Sequence, residues 1–240
     1  MTESSTYYEF NRKGLQAEAV KHLEELASKM TRQIDLTPIP QPTRENEMNY
    51  LVYDLEIVKA IPDRKNPNQR GIEYCTGWSD HTNMGISAVC AFDAYEDRFR
   101  VFCEDNLNEF QQLLELRYPL VTFNGIGFDD KVLSANGIIV PVGKSIDLLR
   151  EIWKAAGLGP EYQYPTHAEY SLDAICKANG LQSKTGNGAK APIDWQQGKM
   201  GSVIDYCLND VMITRNLYRL IVNHGFLIDL KTNEELEIKF

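Results

Sequence analysis

The sequence has little of the chemistry that stabilises disulfide-rich or zinc-binding proteins. Its five cysteines are odd in number, are widely scattered and never occur in a CxxC spacing, and its four histidines are isolated. This pattern excludes a disulfide framework and a zinc knuckle. A reducing compartment fits these cysteines best.

Long apolar runs are also missing from the sequence. No stretch approaches the roughly 18 consecutive apolar residues of a membrane span, and the first residues lack the basic start and apolar run of a signal peptide. We therefore expect a cytoplasmic protein that makes no membrane contact.

Positive charge is scarce, because the formal net charge is −9 and the sequence pI is about 5.0. This balance argues against a generally basic, nonspecific nucleic-acid binder. A metal-filled site with local lysines and arginines could still hold a polyanion, so nucleic acid stays open as a substrate. The 240 residues, 43% of them hydrophobic, are sufficient for one well-filled core.

Residues 1–46 are predicted to form an N-terminal helix followed by a Pro-rich tether. Apolar residues recur at steps of three and four between residues 13 and 34, which indicates one apolar helix face. Pro38, Pro40 and Pro42 then favour an extended connection. The helix either docks on its own domain or contacts a protein partner.

Residues 47–225 are predicted to form the main domain, and residues 226–240 a C-terminal hairpin packed on it. Strand patterns followed by helical patterns indicate an α/β layered domain. The predicted strands include 50–60, 86–92, 98–104 and 118–124, and the predicted helices include 109–117, 128–136, 171–180 and 203–225, with a strand running into a helix over 144–157. Asn106 or Asn108 is expected to cap the helix over 109–117.

Two carboxylates lie inside the first predicted strand. Asp54 and Glu56 are two residues apart, so their side chains project from the same strand face, whereas Leu55 and Ile57 enter the core. Adjacent carboxylates raise each other's pKa unless a cation lies between them, and Mg²⁺ or Mn²⁺ prefers such oxygen ligands. The alternative is a strand end that simply reaches solvent.

Two further acidic segments follow. An apolar strand ends at Asn124, and Phe128 and Asp129 open a helix at the sheet edge, where Asp129 is alternatively only a first-turn carboxylate favoured by the helix dipole. Tyr206 and Asp210 are four residues apart and share one helix face. A tyrosine at this spacing could orient a water molecule bound to a metal that the aspartate holds, or it could only pack among polar residues.

These three segments, in this order, resemble the three exonuclease motifs of the DEDD superfamily of 3′-to-5′ exonucleases. The matching residues are Asp54, Leu55 and Glu56 in the first motif, Asn124, Phe128 and Asp129 in the second, and Tyr206 and Asp210 in the third. A tyrosine in the third motif is typical of the DEDDy branch. The likeness covers about residues 48 to 224, and it is closest to predicted exonucleases related to the proofreading domain of family B DNA polymerases.

The resemblance implies a ribonuclease H-like fold, an α/β mixed sheet flanked by helices, and a two-metal phosphodiester hydrolase. It implies that Asp54, Glu56, Asp129 and Asp210 hold two Mg²⁺ or Mn²⁺ ions, with Asp54 bridging both. Tyr206 completes the implied catalytic set by orienting the attacking water.

The substrate implied by the resemblance is the 3′ end of a single strand, with DNA favoured over RNA, from which nucleoside monophosphates are released. Leu55 and Phe128 are candidates to pack against the terminal nucleotide, unless both lie in the core. Asn124, in the second motif, is a further substrate-binding candidate. Lys184 and Lys190, in a Gly-rich loop before the third motif, could meet phosphates or remain solvated.

Two other functions share the same residues. A ribonuclease H-like endonuclease would use the same acids without needing a 3′ terminus. A noncatalytic nucleic-acid-binding or partner-docking module would need no metal chemistry.

Overall fold

The computed structural model describes residues 49–63, 67–182, 186 and 188–240. All of them belong to one compact unit, Pro42–Phe240. The predicted N-terminal helix and tether, and Lys184, lie outside the described residues.

Five strands form one mixed sheet in the order β3-β2-β1-β4-β5. They are β1 (Leu51–Ile57), β2 (Ile86–Asp93), β3 (Arg98–Phe102), β4 (Leu120–Thr122) and β5 (Ser145–Asp147). Strand β2 runs antiparallel to β1 and β3, whereas β4 and β5 run parallel to β1. With its flanking helices, this sheet confirms the α/β class and is compatible with a ribonuclease H-like fold.

Seven α-helices accompany the sheet within the described ranges. They are α1 (His81–Met84), α2 (Leu107–Leu116), α3 (Asp129–Ala135), α4 (Leu148–Ala155), α5 (Leu172–Ala178), α6 (Ala191–Gln196) and α7 (Met200–His224). Among these helices, none is both long enough and apolar enough to cross a lipid bilayer.

The two faces of β1 meet different partners. Leu51, Tyr53, Leu55 and Ile57 pack into a core that includes residues of α2 and α3, such as Phe110. The opposite face of β1 lies against α7, where the Cys207 Sγ donates to the Asp54 carbonyl oxygen at 3.4 Å. The predicted alternation of core and acidic residues along β1 is therefore confirmed.

Several element predictions differ from the structure in detail. The predicted strand over 118–124 is only three residues long, and the Gly-rich segment before the third motif contains the unpredicted helix α6, which begins around Pro192. Asn106 does precede α2, but its side chain accepts from Cys103 N at 2.6 Å instead of capping a helical N–H.

The C-terminal hairpin forms as predicted, with β6 (Phe226–Ile228) paired to β7 (Glu235–Glu237). It packs against α4 and α7. The Tyr170 hydroxyl donates to Asp229 Oδ1 at 3.0 Å, and the Asn179 side chain accepts from Ile228 N at 2.7 Å. These bonds attach the hairpin to the same compact unit as the sheet.

Candidate active site

A cleft of about 1070 Å³ opens where β1 extends beyond β4. Eight of the residues singled out from the sequence line it: Asp54, Leu55, Glu56, Asn124, Phe128, Asp129, Tyr206 and Asp210. The four acids come from three segments that are distant along the chain. All four of them line the same cleft.

The strand β1 places Asp54 and Glu56 between the sheet and α7. Asp54 pairs with Cys90 of β2 in the strand register, and Glu56 pairs with Ala88. Glu56 is buried, with 8% of its surface exposed, and Asp54 is half-buried beside the Cys207 thiol. Two carboxylates are thus held on one face of a rigid central strand.

Asp129 reaches β1 because β4 is short. Strand β4 pairs with β1 only at Leu51 and Val52, and farther along β1 the Leu55 N–H donates to Asp129 Oδ1 at 3.2 Å. The Asp129 carboxylate therefore accepts a β1 N–H hydrogen bond at the edge where a longer β4 would have paired with β1. Burial, reinforced by the neighbouring charge of Asp130, raises the pKa of Asp129 to about 7.

The connection from β4 to α3 is shaped by its backbone. Asn124 adopts a positive φ of 68°, a conformation that asparagine tolerates better than most residues. A Cβ added at Gly125 would fall on the Thr122 side chain, so only glycine fits this close approach. Both residues direct the chain so that α3 begins with Asp129 facing β1.

Asp147 is a residue of this site to which the sequence analysis assigned no role. Its carboxylate accepts from Asn124 N at 2.8 Å and Ile126 N at 3.1 Å, and it also caps α4 through Leu149 N at 3.1 Å. An aspartate at a strand-to-helix junction is a recognisable N-cap signal. Its second task, holding the loop that carries Asp129, depends on β5 lying beside β4 and is not visible in the sequence.

Helix α7 carries Tyr206 and Asp210 on the face that lines the cleft. Asp210 is buried, and Tyr206 is half-buried. Gly186 and Gly188 lie against the Tyr206 ring, since a Cβ added at Gly186 would be 2.7 Å from its Cδ2 atom. The Gly-rich segment before α6 therefore contacts Tyr206 closely.

The donor set suits a hard divalent cation, although it is not a closed coordination shell. Four carboxylates line one partly buried cleft, and oxygen donors of this kind are what Mg²⁺ and Mn²⁺ prefer. Within the described part of the chain, however, no three His, Cys, Asp or Glu side chains form a group that could hold an ion as they stand.

The predicted substrate-binding residues occupy different positions. Leu55 is buried and Phe128 is half-buried against the same core, yet both also line the cleft. Lys190 is not among the residues that line the cleft. Its ammonium group pairs with Asp194, which Lys199 also approaches at 3.2 Å.

The insertion between β1 and β2 contributes a cleft wall whose residues were not among the site residues predicted from the sequence. Asp63, Thr76, Trp78 and Ser79 line this wall. Trp78 is 72% exposed, and its ring centroid lies 5.9 Å from that of Phe128. A tryptophan within the polar turn TGWSD is a signal that could have identified this wall.

Comparisons with known proteins add a structural likeness. No protein-family model matches the sequence, and no curated protein matches it. Among solved structures, the chain is similar to the family B DNA polymerase from the hyperthermophilic archaeon Pyrobaculum calidifontis, with 18% sequence identity and a TM-score of 0.49. The likeness covers 72% of this chain and 24% of the polymerase, so the chain spans about a quarter of the protein it matches.

Proposed function

We propose that the protein is a metal-dependent 3′-to-5′ exonuclease that releases nucleoside monophosphates from single-stranded nucleic acid. The observation that carries this proposal is the common cleft of Asp54, Glu56, Asp129 and Asp210, with Tyr206 one helical turn before Asp210. Three segments separated by long stretches of sequence would have little reason to line one cleft with four carboxylates unless a cation offset their repulsion.

The four carboxylates would hold two Mg²⁺ or Mn²⁺ ions. When bound, such ions stabilise the charge on the attacking and leaving oxygens of a phosphodiester and lower the pKa of a bound water. Asp129 must lose its proton to act as a ligand, because only the carboxylate form binds a metal. Leu55 N–H, which donates to Asp129, favours that ionised form and fixes the orientation of the carboxylate.

Tyr206 would orient the attacking water by a hydrogen bond. A tyrosine hydroxyl has a pKa near 10 and is a poor base at neutral pH, so its contribution is positioning. Tyr206→Phe is therefore expected to lower kcat less than Asp210→Asn does. Single-turnover rates of both folded variants test this order, and equal losses would contradict it.

End-labelled oligonucleotides test the reaction. In Mg²⁺ or Mn²⁺, a strand labelled at its 3′ end should lose the label first, and Asp54→Ala should abolish the loss. Label loss that is unchanged in Asp54→Ala would overturn the assignment of the site. Matched DNA and RNA strands determine the sugar preference, and a circular single strand, which only an endonuclease cuts, tests the ribonuclease H-like alternative.

A noncatalytic nucleic-acid-binding module is the second candidate. It is favoured by the lack, among the described residues, of a ready group of three metal ligands. Metal titration separates the two candidates without an activity assay, since a ligand at a hundred times its Kd stabilises the fold by about 2.7 kcal/mol. The exonuclease should melt at a higher temperature in Mn²⁺ than in EDTA, and Asp54→Ala should lose the difference.

A cytoplasmic location and a protein partner for the N-terminal helix remain predictions.

A further inference from the structure

Trp78 is exposed at the cleft although exposure is unfavourable for its side chain. Its surface is 72% exposed, whereas Trp153 is 4% exposed in the core. Indole rings bury a large apolar area when a partner is available. An exposed indole in the wall of a cleft is therefore positioned for a ligand.

A network of hydrogen bonds holds the turn that carries Trp78, which we call the Trp78 turn (76–83). Asp80 Oδ2 accepts from Thr76 N at 2.8 Å and from Thr76 Oγ1 at 2.9 Å, and Asp80 Oδ1 accepts from Asn83 Nδ2 at 2.6 Å. The Asp80 N–H donates back to Gly77 O at 3.1 Å. The indole thus projects from an ordered turn.

The Trp78 turn is attached to the strand that carries the acids. Met84, at the end of α1, is fully buried, and its carbonyl oxygen accepts from Lys59 N at 2.9 Å, just beyond the end of β1. This backbone hydrogen bond therefore sets the position of the Trp78 turn relative to Asp54 and Glu56.

The ring of Trp78 lies beside Phe128, the residue directly before Asp129. The two rings are inclined at 66°, so they are not stacked on each other, and the exposure of Trp78 leaves an indole face accessible. His81 contacts the same Phe128 ring, with centroids 6.2 Å apart. An aromatic wall therefore begins at the acids and extends outward through Phe128 to Trp78.

We infer that Trp78 stacks an unpaired nucleobase at or next to the 3′ end of the strand, which makes the cleft selective for single-stranded, base-containing substrate. This inference rests on the proposed function. An internal base of a duplex is stacked on both faces and offers none to the indole, whereas an unpaired base can turn a face toward it, so the contact favours single strands without reading sequence. The backbone next to that base then extends toward the acids.

Equilibrium binding of a fluorescent single strand tests the inference. In the Asp210→Asn background, which keeps the strand intact, Trp78→Ala should weaken binding about 5- to 150-fold, and Trp78→Phe should lose less. Tyr95→Ala is the matched control, because Tyr95 is also an exposed aromatic residue but does not line the cleft. Tyr95→Ala should bind as the parent does.

A strand with abasic residues at its last three positions separates stacking from a structural effect. The parent should bind this strand at least as weakly as Trp78→Ala binds the normal strand, and Trp78→Ala should discriminate less between the two strands than the parent does. The normal strand should also quench the fluorescence of the parent, and Trp78→Phe should lose that quenching. Unchanged affinity in folded Trp78→Ala, or equal losses on both strands, would overturn the inference.

The outcomes distinguish this inference from the proposed function. If the wild-type protein releases nucleotides and Trp78→Ala has the same kcat/KM, the stacking inference is wrong and the exonuclease proposal is retained. If single strands bind and quench the Trp78 fluorescence but no metal supports hydrolysis, the exonuclease proposal is wrong and the stacking inference is retained. If the Asp210→Asn parent binds no strand and the wild-type protein hydrolyses none with Mg²⁺ or Mn²⁺, both are overturned.

Discussion

Gly186 lies so close to Tyr206 that a larger side chain would displace the tyrosine ring. A methyl group at this position would be 2.7 Å from Tyr206 Cδ2, so the ring would have to move. We expect Gly186→Ala to lower kcat by roughly 10- to 100-fold, because small displacements of positioning groups have effects of this size.

Gly201→Ala is the control for Gly186→Ala. Gly201 lies in the first turn of α7 with open space around the position of a Cβ. Gly201→Ala should leave kcat unchanged and raise the free energy of unfolding by up to about 1 kcal/mol, because alanine favours helix more than glycine does. An unchanged kcat in Gly186→Ala would mean that the Tyr206 ring is free to shift.

Asp129 should make the metal-free protein less stable as the pH rises. Its folded pKa of about 7 is above the ordinary value of 3.8, mainly because of burial, so folding favours the protonated form. The penalty for ionisation is absent below pH 3.8, grows as the pH rises and is complete above pH 7. In EDTA, Asp129→Asn should therefore raise the free energy of unfolding at pH 8 by on the order of 1–4 kcal/mol, and change it little at pH 4.

Urea unfolding at pH 4, 6 and 8 in EDTA measures this effect. Glu161→Gln is the control, because Glu161 is an exposed carboxylate that pairs with Arg150 at 3.3 Å, and its effect should vary little with pH. With Mn²⁺ the sign should reverse, since Asp129→Asn loses a ligand. A destabilised Asp129→Asn in EDTA at pH 8 would contradict the assigned cause.

At the scale of elements, Asp147 couples α4 to the connection between β4 and α3. Asp147→Ala removes a helix cap and also leaves Asn124 N and Ile126 N without this acceptor. Ser171→Ala removes only a cap, the bond from Ala174 N at 3.2 Å at the start of α5. Both variants should lose about 0.5–2 kcal/mol of stability from the cap, with a further loss for Asp147→Ala.

Metal-dependent melting separates the two variants. Asp147→Ala should have a smaller Mn²⁺-induced shift in Tm than the wild type, because the loop that carries Asp129 is less restrained, whereas Ser171→Ala should keep the full shift. Equal shifts in both variants would show that Asp147 acts only as a cap.

Most elements could be predicted from local patterns, and the misses have physical causes. The core strands and α7 were predictable because their apolar residues recur with the period of a strand or helix. Helix α6 was missed because it is only six residues long and starts within a Gly- and Pro-containing stretch. The short length of β4 was not predictable, because flanking apolar residues continue its pattern while the backbone already turns at Asn124.

For the whole molecule, a buried ion pair joins two distant parts of the sheet domain. Arg117, just after α2, donates to Asp93 at the end of β2 through Nε at 2.7 Å and Nη2 at 3.0 Å. Asp93 is fully buried, and neither residue lines the cleft. Arg117→Met should therefore lower the free energy of unfolding by about 3 kcal/mol, because it leaves a buried carboxylate without its main cation.

Urea denaturation of a double-variant cycle measures the pair. Arg117→Met with Asp93→Asn should be more stable than Arg117→Met alone, since the buried charge is then removed as well. Nuclease activity well below the melting temperature should not change. A large loss of activity in a folded Arg117→Met protein would contradict its separation from the cleft.

The sequence by itself determined the alternation of β1 and the shared helix face of Tyr206 and Asp210, because side-chain direction follows from local backbone geometry. It also indicated which acids to consider. Only the tertiary structure decided that β4 stops early enough for Asp129 to bond β1, that Asp147 restrains the loop before it, and that Trp78 enters the cleft wall. These features depend on strand order and on contacts between residues far apart in the chain, which no local pattern encodes.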